Sequence, residues 1–287
     1  MKSRNYSESE KFAAVERFLV GGESVATIAA DTGISRSTLY AWIKSAQIEP
    51  GMVEFTRKNF RMLEAKVKRL EGIVEIARQH HLIIFSDEIY DRLVMDGGEH
   101  ISIASLAPDL FCVTFSGLSK SHMIAGFRIG WMILSGNKAI AQDYIEGIRM
   151  LSNMRLCSNV PAQSIVQTAL GGYQSVSNYL TPGGRIYEQR ECIYQALKDI
   201  PGLSVVKPKA AFYMFPKLDV KKFHITNDEQ FALDLLRDKK ILLIHGGGFH
   251  WEQPDHFRVV YLPRIEVLKE SADKIADFLS YYQQNRR

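Results

Sequence analysis

The 287-residue sequence is short of several things, and each shortage closes off a class of protein. It holds 3 cysteines, at positions 112, 157 and 192, with no CxxC pair, which argues against a disulfide framework and a cysteine zinc site. No run reaches the ~18 uninterrupted apolar residues of a membrane helix. The charged start Met1-Lys2-Ser3-Arg4-Asn5 leads into no apolar signal core, so a cytoplasmic chain with no membrane partner is expected. P-loop and G-x-G-x-x-G strings are missing. His80-His81 lacks HExxH spacing, and His245-Gly-Gly-Gly248 has no companion G-x-S-x-G elbow. No metal site is expected. One-signed charge is scarce too, at a formal net +4.

What is there has the mix of a soluble globular protein, 46% hydrophobic and 24% charged, with length for about two domains. The basic bias sits in front. Residues 1–71 hold 12 Lys/Arg against 9 Asp/Glu, and residues 72–287 hold 24 against 23. Between Arg57 and Arg69 there are six basic residues and one acid, a run that suits a phosphate backbone or a solvated helix face equally.

Residues 7–46 read as three short helices. Ser7 with Glu10 fits a capping box, and Phe12, Val15, Phe18 and Leu19 form an apolar stripe that ends at Gly21-Gly22. Ser24 opens a second helix with Val25, Ile28 and Ala29 inward, stopping at Thr32-Gly33. Ser35 caps a third, which buries Leu39, Trp42 and Ile43. Two short helices joined by a Gly-containing turn are a helix-turn-helix pattern, whose last helix enters the DNA major groove through its early residues. Those are Arg36, Ser37, Thr38 and Tyr40, with Lys44 placed for a phosphate. The alternative is a bundle that only packs. The string from Ser24 to Ile43 resembles the first-frame protein of insertion-sequence transposases, over roughly 70 residues. That resemblance implies binding of terminal-repeat DNA through residues 24–46. After Pro50-Gly51, Val53, Phe60, Leu63, Val67, Leu70 and Val74 form a seam interrupted by Thr56. It reads as a short coiled coil or as an amphipathic helix packed on its own domain.

From Ile73 onward helices alternate with apolar runs: helix Ile73–His81, then Leu82–Phe85, Phe111–Phe115 and Gly130–Leu134. Such alternation predicts an α/β domain with a largely parallel sheet and a site beyond the carboxyl ends of its strands. Residues 185–287 read as a smaller α+β domain. Its expected elements are strands at 203–206, 211–215, 241–244 and 257–261, and helices at 228–238 and 266–283. The expected division is 1–50, 51–72, 73–184 and 185–287.

The ordered pattern Asp87-x-x-Tyr90, then Ser119-Lys120-x5-Gly126-x-Arg128-x-Gly130, resembles the signature of class I/II, fold-type I aminotransferases. The resemblance implies pyridoxal phosphate as cofactor and gives each residue a role. Lys120 anchors the cofactor covalently and moves the substrate α-proton. Asp87 pairs with the ring nitrogen, Tyr90 with the ring's phenolic oxygen, and Ser119 and Arg128 with the phosphate. Arg258 clamps the substrate carboxylate. Taken singly, Asp87 also suits a helix cap, Tyr90 a core position and Arg128 a surface ion pair. Met150–Gln163, Gln167–Ser175 and Thr181–Arg185 are similar to the bacterial glutamate–pyruvate (alanine) group. Ser116, Ser121-His-Met-Ile124 and His245-Gly-Gly-Gly-Phe249 depart from it.

The resemblance begins inside the family's large domain. The family's preceding segment, with its phosphate-binding glycine loop, ring-stacking aromatic and N-P-x-N-P-T-G asparagine, has no counterpart here. The expected fold is therefore a truncated fold-type I large domain plus an α+β small domain, behind an all-α helix-turn-helix and helical segment. The expected function is amino-group transfer between an amino acid and a 2-oxo acid, weak or absent, in a homodimer. The alternatives are a transposase-derived DNA-binding protein carrying an inert aminotransferase fragment, and a fused regulator. An exposed apolar sheet edge and unpartnered helices are also expected.

Overall fold

The computed structural model describes residue 6 and residues 8–19, 22–46 and 57–284. The Ser7 cap, Gly21, the boundary at 50/51, Val53 and Thr56 lie outside the described residues, as do the side chains of Phe12, Leu19, Lys44 and Phe60. The chain opens with helices α1 (Glu8–Leu19), α2 (Val25–Thr32), α3 (Arg36–Ala46) and α4 (Arg57–Gln79). Strands β1 (Ile84–Asp87) and β2 (Phe111–Gly117), the single turn α5 (Leu118–Ser121) and strand β3 (Gly130–Gly136) follow. Helices α6 (Gln142–Arg155), α7 (Val160–Ser164), α8 (Val166–Gly171), α9 (Val176–Tyr179) and α10 (Arg185–Lys198) come next. Then come β4 (Leu203–Ser204), β5 (Tyr213–Met214), β6 (Lys217–Leu218), α11 (Asp228–Lys239), β7 (Ile244–His245), β8 (Phe257–Val260) and α12 (Ile265–Tyr281).

The residues gather into two compact units. The first comprises 1–88, 97–116 and 130–160, and the second 89–96, 117–129 and 161–287. This partition interleaves the chain, whereas the division expected from sequence runs in consecutive stretches, 1–50, 51–72, 73–184 and 185–287. The reason is burial: Leu93 and Met95 lie fully inside the core of the second unit, and their segment is bonded there by Met95 N–H to the Lys209 carbonyl and Ala211 N–H to the Leu93 carbonyl, both 2.8 Å.

In the first unit the caps read at Ser24 and Ser35 are in place. Ser24 Oγ accepts from Thr27 N–H at 3.1 Å, and Ser35 Oγ accepts from Thr38 N–H at 3.1 Å. Gly33 ends α2 at φ 68°, a left-handed conformation that glycine adopts without steric cost. Ala14, Val25, Ile28, Ile34, Leu39 and Ile43 form a buried core, with Val15, Phe18, Ala29 and Trp42 packed on it. Helix α4 runs unbroken through positions 72 and 73. The last part of its seam turns inward: Val74 and Ala77, with Leu70 alongside, pack on Ile84, Ile103, Ala107, Leu110 and Cys112. The end of the helix thus packs on its own unit.

Among the described residues, one sheet has the order β1-β2-β3, and β1 pairs parallel to β2 with Ile84 opposite Cys112 and Asp87 opposite Phe115. The ladder starts two residues later than the apolar run suggests and continues through Ser86 and Asp87, leaving Leu82 and Ile83 outside it and exposed. Period-two alternation explains the faces. Ile84 and Cys112 turn toward the α4 side, whereas Phe111, Val113 and Phe115 turn toward α6, where Tyr144 and Ile145 pack. Both outer strands carry exposed apolar groups, Phe85 on β1 (56% exposed) and Ile133 on β3. Met150, Leu151 and Met154 (77% exposed) line one face of α6. Apolar groups on both outer strands and on one face of α6 are thus exposed.

The second unit has its own core. Ile193 and Leu197 of α10, Phe231 and Leu235 of α11, Phe257 and Tyr261 around β8, and Leu268, Ile275 and Phe278 of α12 are all buried in it. Its sheet has the order β5-β8-β7, antiparallel, with Tyr213 opposite Val260 and Ile244 opposite Arg258. A second antiparallel pair, β4 with β6, is added, and β6 was not foreseen from sequence because Lys217-Leu218 shows no apolar periodicity.

Candidate active site and outward face of the third helix

Asp87 is the final residue of β1 in the first unit, and its side chain is exposed. Its neighbour Glu88, which sequence reasoning passed over, fixes the strand end. Glu88 N–H donates to the Phe115 carbonyl at 2.8 Å. Its carboxylate accepts from Ser86 Oγ (3.0 Å) and Ser102 Oγ (2.9 Å) and lies 3.0 Å from His100 Nε2. Burial pushes the Glu88 carboxyl up, but these three contacts outweigh it and hold the group below the usual carboxylate range.

The other proposed cofactor and substrate residues belong to the second unit. Tyr90 is half-buried, and its ring stands edge-on to Phe212 (5.5 Å) and Tyr213 (5.6 Å). Strand β2 ends at Gly117, and the single turn of α5 carries Ser119 and Lys120, both half-buried. Lys120 Nζ lies 5.3 Å from the centroid of the Phe212 ring. The turn is anchored at Ser121, whose Oγ lies 3.1 Å from the Gly117 carbonyl and 2.9 Å from His122 Nδ1. His122 Nε2 lies 2.9 Å from the Ala169 carbonyl. Arg128 is exposed at φ 52°, and its Nη1 donates to the Ala125 carbonyl at 2.7 Å.

Arg258 is half-buried on β8, with its guanidinium carbon over Phe249 (4.5 Å) and Tyr213 (5.5 Å). Its Nε is buried and has no hydrogen-bond partner. Among the described residues, no ion pair engages Lys120 or Arg258. The structure thus connects Lys120, Tyr90 and Arg258 through Phe212, Tyr213 and Phe249. Two of those rings were legible only as part of a strand, in Ala211-Phe-Tyr-Met-Phe215. Alternation there does not say that a ring will border a lysine.

On α3, Leu39 and Ile43 are buried while Arg36, Ser37 and Tyr40 (59% exposed) face outward. The hydroxyls of Ser37 and Thr38 lie 2.9 and 2.7 Å from Ser35 Oγ, within the cap. The backbone position of Lys44 lies on the same helix. Arg17 pairs with Glu23 and Asp31, both at 2.6 Å, linking α1 to the start and end of α2.

Comparison with known proteins agrees with both halves of this picture. The family model for class I and II aminotransferases matches residues 64–275, and a transposase family model matches residues 1–81. The two overlap on α4. Over 215 residues the chain is 58% identical to glutamate–pyruvate aminotransferase AlaA of Escherichia coli K12, covering 75% of this chain and 53% of that protein. An aminotransferase crystal structure from Escherichia coli superposes with TM-score 0.74 at 58% identity, over 75% of this chain and 53% of the other. An alanine aminotransferase from Pyrococcus furiosus gives 0.68 at 38% identity, over 74% and 53%. The chain spans about half the length of the curated relatives it matches. Members of this family use pyridoxal phosphate. With a lysine on the turn after β2, an arginine on β8 and a family match over most of its length, the chain belongs to the class I and II aminotransferases.

Proposed function

We propose that the chain binds pyridoxal phosphate at Lys120 and transfers amino groups between an amino acid and a 2-oxo acid, of the glutamate–pyruvate type, at a low rate. The observation that carries this reading is the pair Lys120 and Arg258 in one unit, without ion pairs among the described residues and joined by aromatic rings. The donors of the second unit suit the cofactor: an amine against a ring, a phenol and an exposed guanidinium. Asp87 would take the ring nitrogen, Tyr90 the ring oxygen, and Ser119 and Arg128 the phosphate. The bound cofactor supplies an electron sink for charge developing at the substrate α-carbon. Lys120 holds and moves the proton at that carbon, and Arg258 orients the substrate through its carboxylate. A low rate is expected because the residues that resemble the family include neither its phosphate-binding glycine loop nor its ring-stacking aromatic.

The test is visible absorbance of the full chain after addition of pyridoxal phosphate. A cofactor band that is lost in Lys120→Ala supports the reading, and no band in the parent protein refutes it. Glutamate–pyruvate turnover at tens per second or more, ordinary for an enzyme, would contradict the low rate. Sedimentation of the loaded protein as a monomer would contradict a homodimer.

A second reading rests on the outward face of α3. We propose that Arg36, Ser37, Thr38, Tyr40 and Lys44 contact DNA of insertion-sequence end repeats. Arg36→Ala should weaken specific binding by about 10- to 100-fold, the worth of a good base contact. Equal binding to unrelated DNA would overturn it. The proposed division is a DNA-binding part at 1–50, a helical connection at 51–72 and aminotransferase parts at 73–184 and 185–287. Limited proteolysis that spares residues 40–60 would argue against the first boundary. No helix among the described residues is long and apolar enough to cross a membrane.

A further inference from the structure

The segment His245-Gly-Gly-Gly-Phe249 departs from the family group and has no role in the reading above. Its geometry gives it one. The backbone makes a tight turn whose amides are held by side chains: Gly247 N–H donates to Asp228 Oδ2 at 2.7 Å, and Gly248 N–H to His245 Nδ1 at 3.2 Å. The turn closes on His250 in the left-handed region, with its N–H returned to Gly246 and Gly247. Phe249 leaves this turn and lies against Arg258, 4.5 Å from ring centroid to guanidinium carbon. The Phe249 ring is itself met edge-on by Phe215 at 6.2 Å, and Phe215 stacks on His256 at 4.7 Å. Tyr213 of the neighbouring strand, whose register partner Val260 lies two residues from Arg258, holds the same guanidinium at 5.5 Å and is met edge-on by Tyr90.

An arginine can be positioned in two ways. A carboxylate holds it strongly, but occupies its N–H groups and cancels its charge. An aromatic ring attracts the cation through its quadrupole and takes up no in-plane N–H. Arg258 is held in the second way. Its buried Nε has no partner, an arrangement that costs free energy unless a ligand or water supplies an acceptor.

We infer that Phe249 and Tyr213 are positioning residues that hold Arg258 by its π-face contacts and reserve its Nε edge for a carboxylate ligand. The inference rests on the carboxylate role given to Arg258 above and adds the groups that make it effective. The Gly-rich turn then has a reason: it delivers Phe249 to the guanidinium.

The experiment uses the full chain labelled with nitrogen-15 and sodium propanoate as the probe, with no cofactor added. The Arg258 Nε–H signal is identified by its loss in Arg258→Lys. Propanoate should shift that signal saturably in the parent protein. Phe249→Leu and Tyr213→Leu should each raise the apparent dissociation constant, about tenfold for Phe249, within the range of a partly buried cation–π contact. Phe249→Tyr and Tyr213→Phe keep a ring at each position and should stay within about twofold of the parent. A purely structural role would not separate leucine from a second aromatic in this way. If the parent binds and both leucine variants bind equally well, the positioning inference fails while the carboxylate role of Arg258 stands. If the parent signal does not respond to propanoate, both fail. Should one leucine variant not fold, the other supplies the same reading.

Discussion

Replacing Arg190 by methionine removes a guanidinium that is fully buried in the second unit. Its Nη1 and Nη2 donate to the two oxygens of Asp96 at 2.8 and 2.7 Å. Nη1 also donates to the Pro208 carbonyl at 2.9 Å, and Nη2 to Glu191 Oε1 at 2.8 Å. Asp96 ends the short segment 89–96 that carries Tyr90, so the pair ties a site residue to α10. The Asp96 side chain is 33% exposed, so water compensates part of the charge left behind, and the loss is that of the charged hydrogen bonds, about 2–3 kcal/mol. With a urea dependence of about 2 kcal/mol per molar, the unfolding midpoint of this unit should fall by about 1 M at pH 7. The acid dependence has a fixed sign. Burial pushes the Asp96 carboxyl up, and the Arg190 hydrogen bonds pull it further down, leaving it below its ordinary value. Its contribution is therefore complete above the ordinary carboxylate range and disappears as pH falls through the depressed value. Asp96→Asn should be destabilising at pH 7 and nearly neutral in strong acid; asparagine tolerates the left-handed backbone at this position, φ 58°. The double variant Arg190→Met/Asp96→Asn should lose less than the sum of the singles. A midpoint shift for Arg190→Met under about 0.5 M, or an Asp96→Asn penalty that persists in acid, would refute the reasoning.

Gly136→Ala should destabilise the first unit by well over about 1 kcal/mol, read as a lower melting temperature or loss of soluble protein. Gly136 has φ 74°, and a Cβ there would meet the Leu110 carbonyl oxygen at 1.8 Å, so the backbone must move. Ser24→Ala removes the acceptor for Thr27 N–H and should cost the helical front part about 1 kcal/mol. Ser24→Asp should restore it, and equal melting curves for Ser24→Ala and the parent would count against the cap.

Much of this was legible in residues whose role is local. Ser24, Gly33 and Ser35 cap helices because their side chains or backbone freedom act within four positions, and the structure puts each where the string places it. The ordered Asp87, Tyr90, Ser119, Lys120, Arg128 and Arg258 needed no fold to be noticed, since their order matches a family pattern. The strand limits were less legible. The ladder at 84–87 includes Ser86 and Asp87, because pairing with β2 continues past the apolar run. The Arg190–Asp96 pair was invisible, since its members lie 94 residues apart and each looks like an ordinary surface charge.

Sequence alone placed three short capped helices with a transposase-like string ahead of a motif order that resembles the aminotransferases, because caps, periodicity and motif order are properties of neighbours along the polymer. Tertiary structure decided which groups keep company. It drew segment 89–96 into the second core, turned Val74 of the seam inward, and set Lys120 and Arg258 against aromatic rings rather than acids. Those outcomes depend on burial and on contacts between residues far apart in the chain, and no local pattern encodes them.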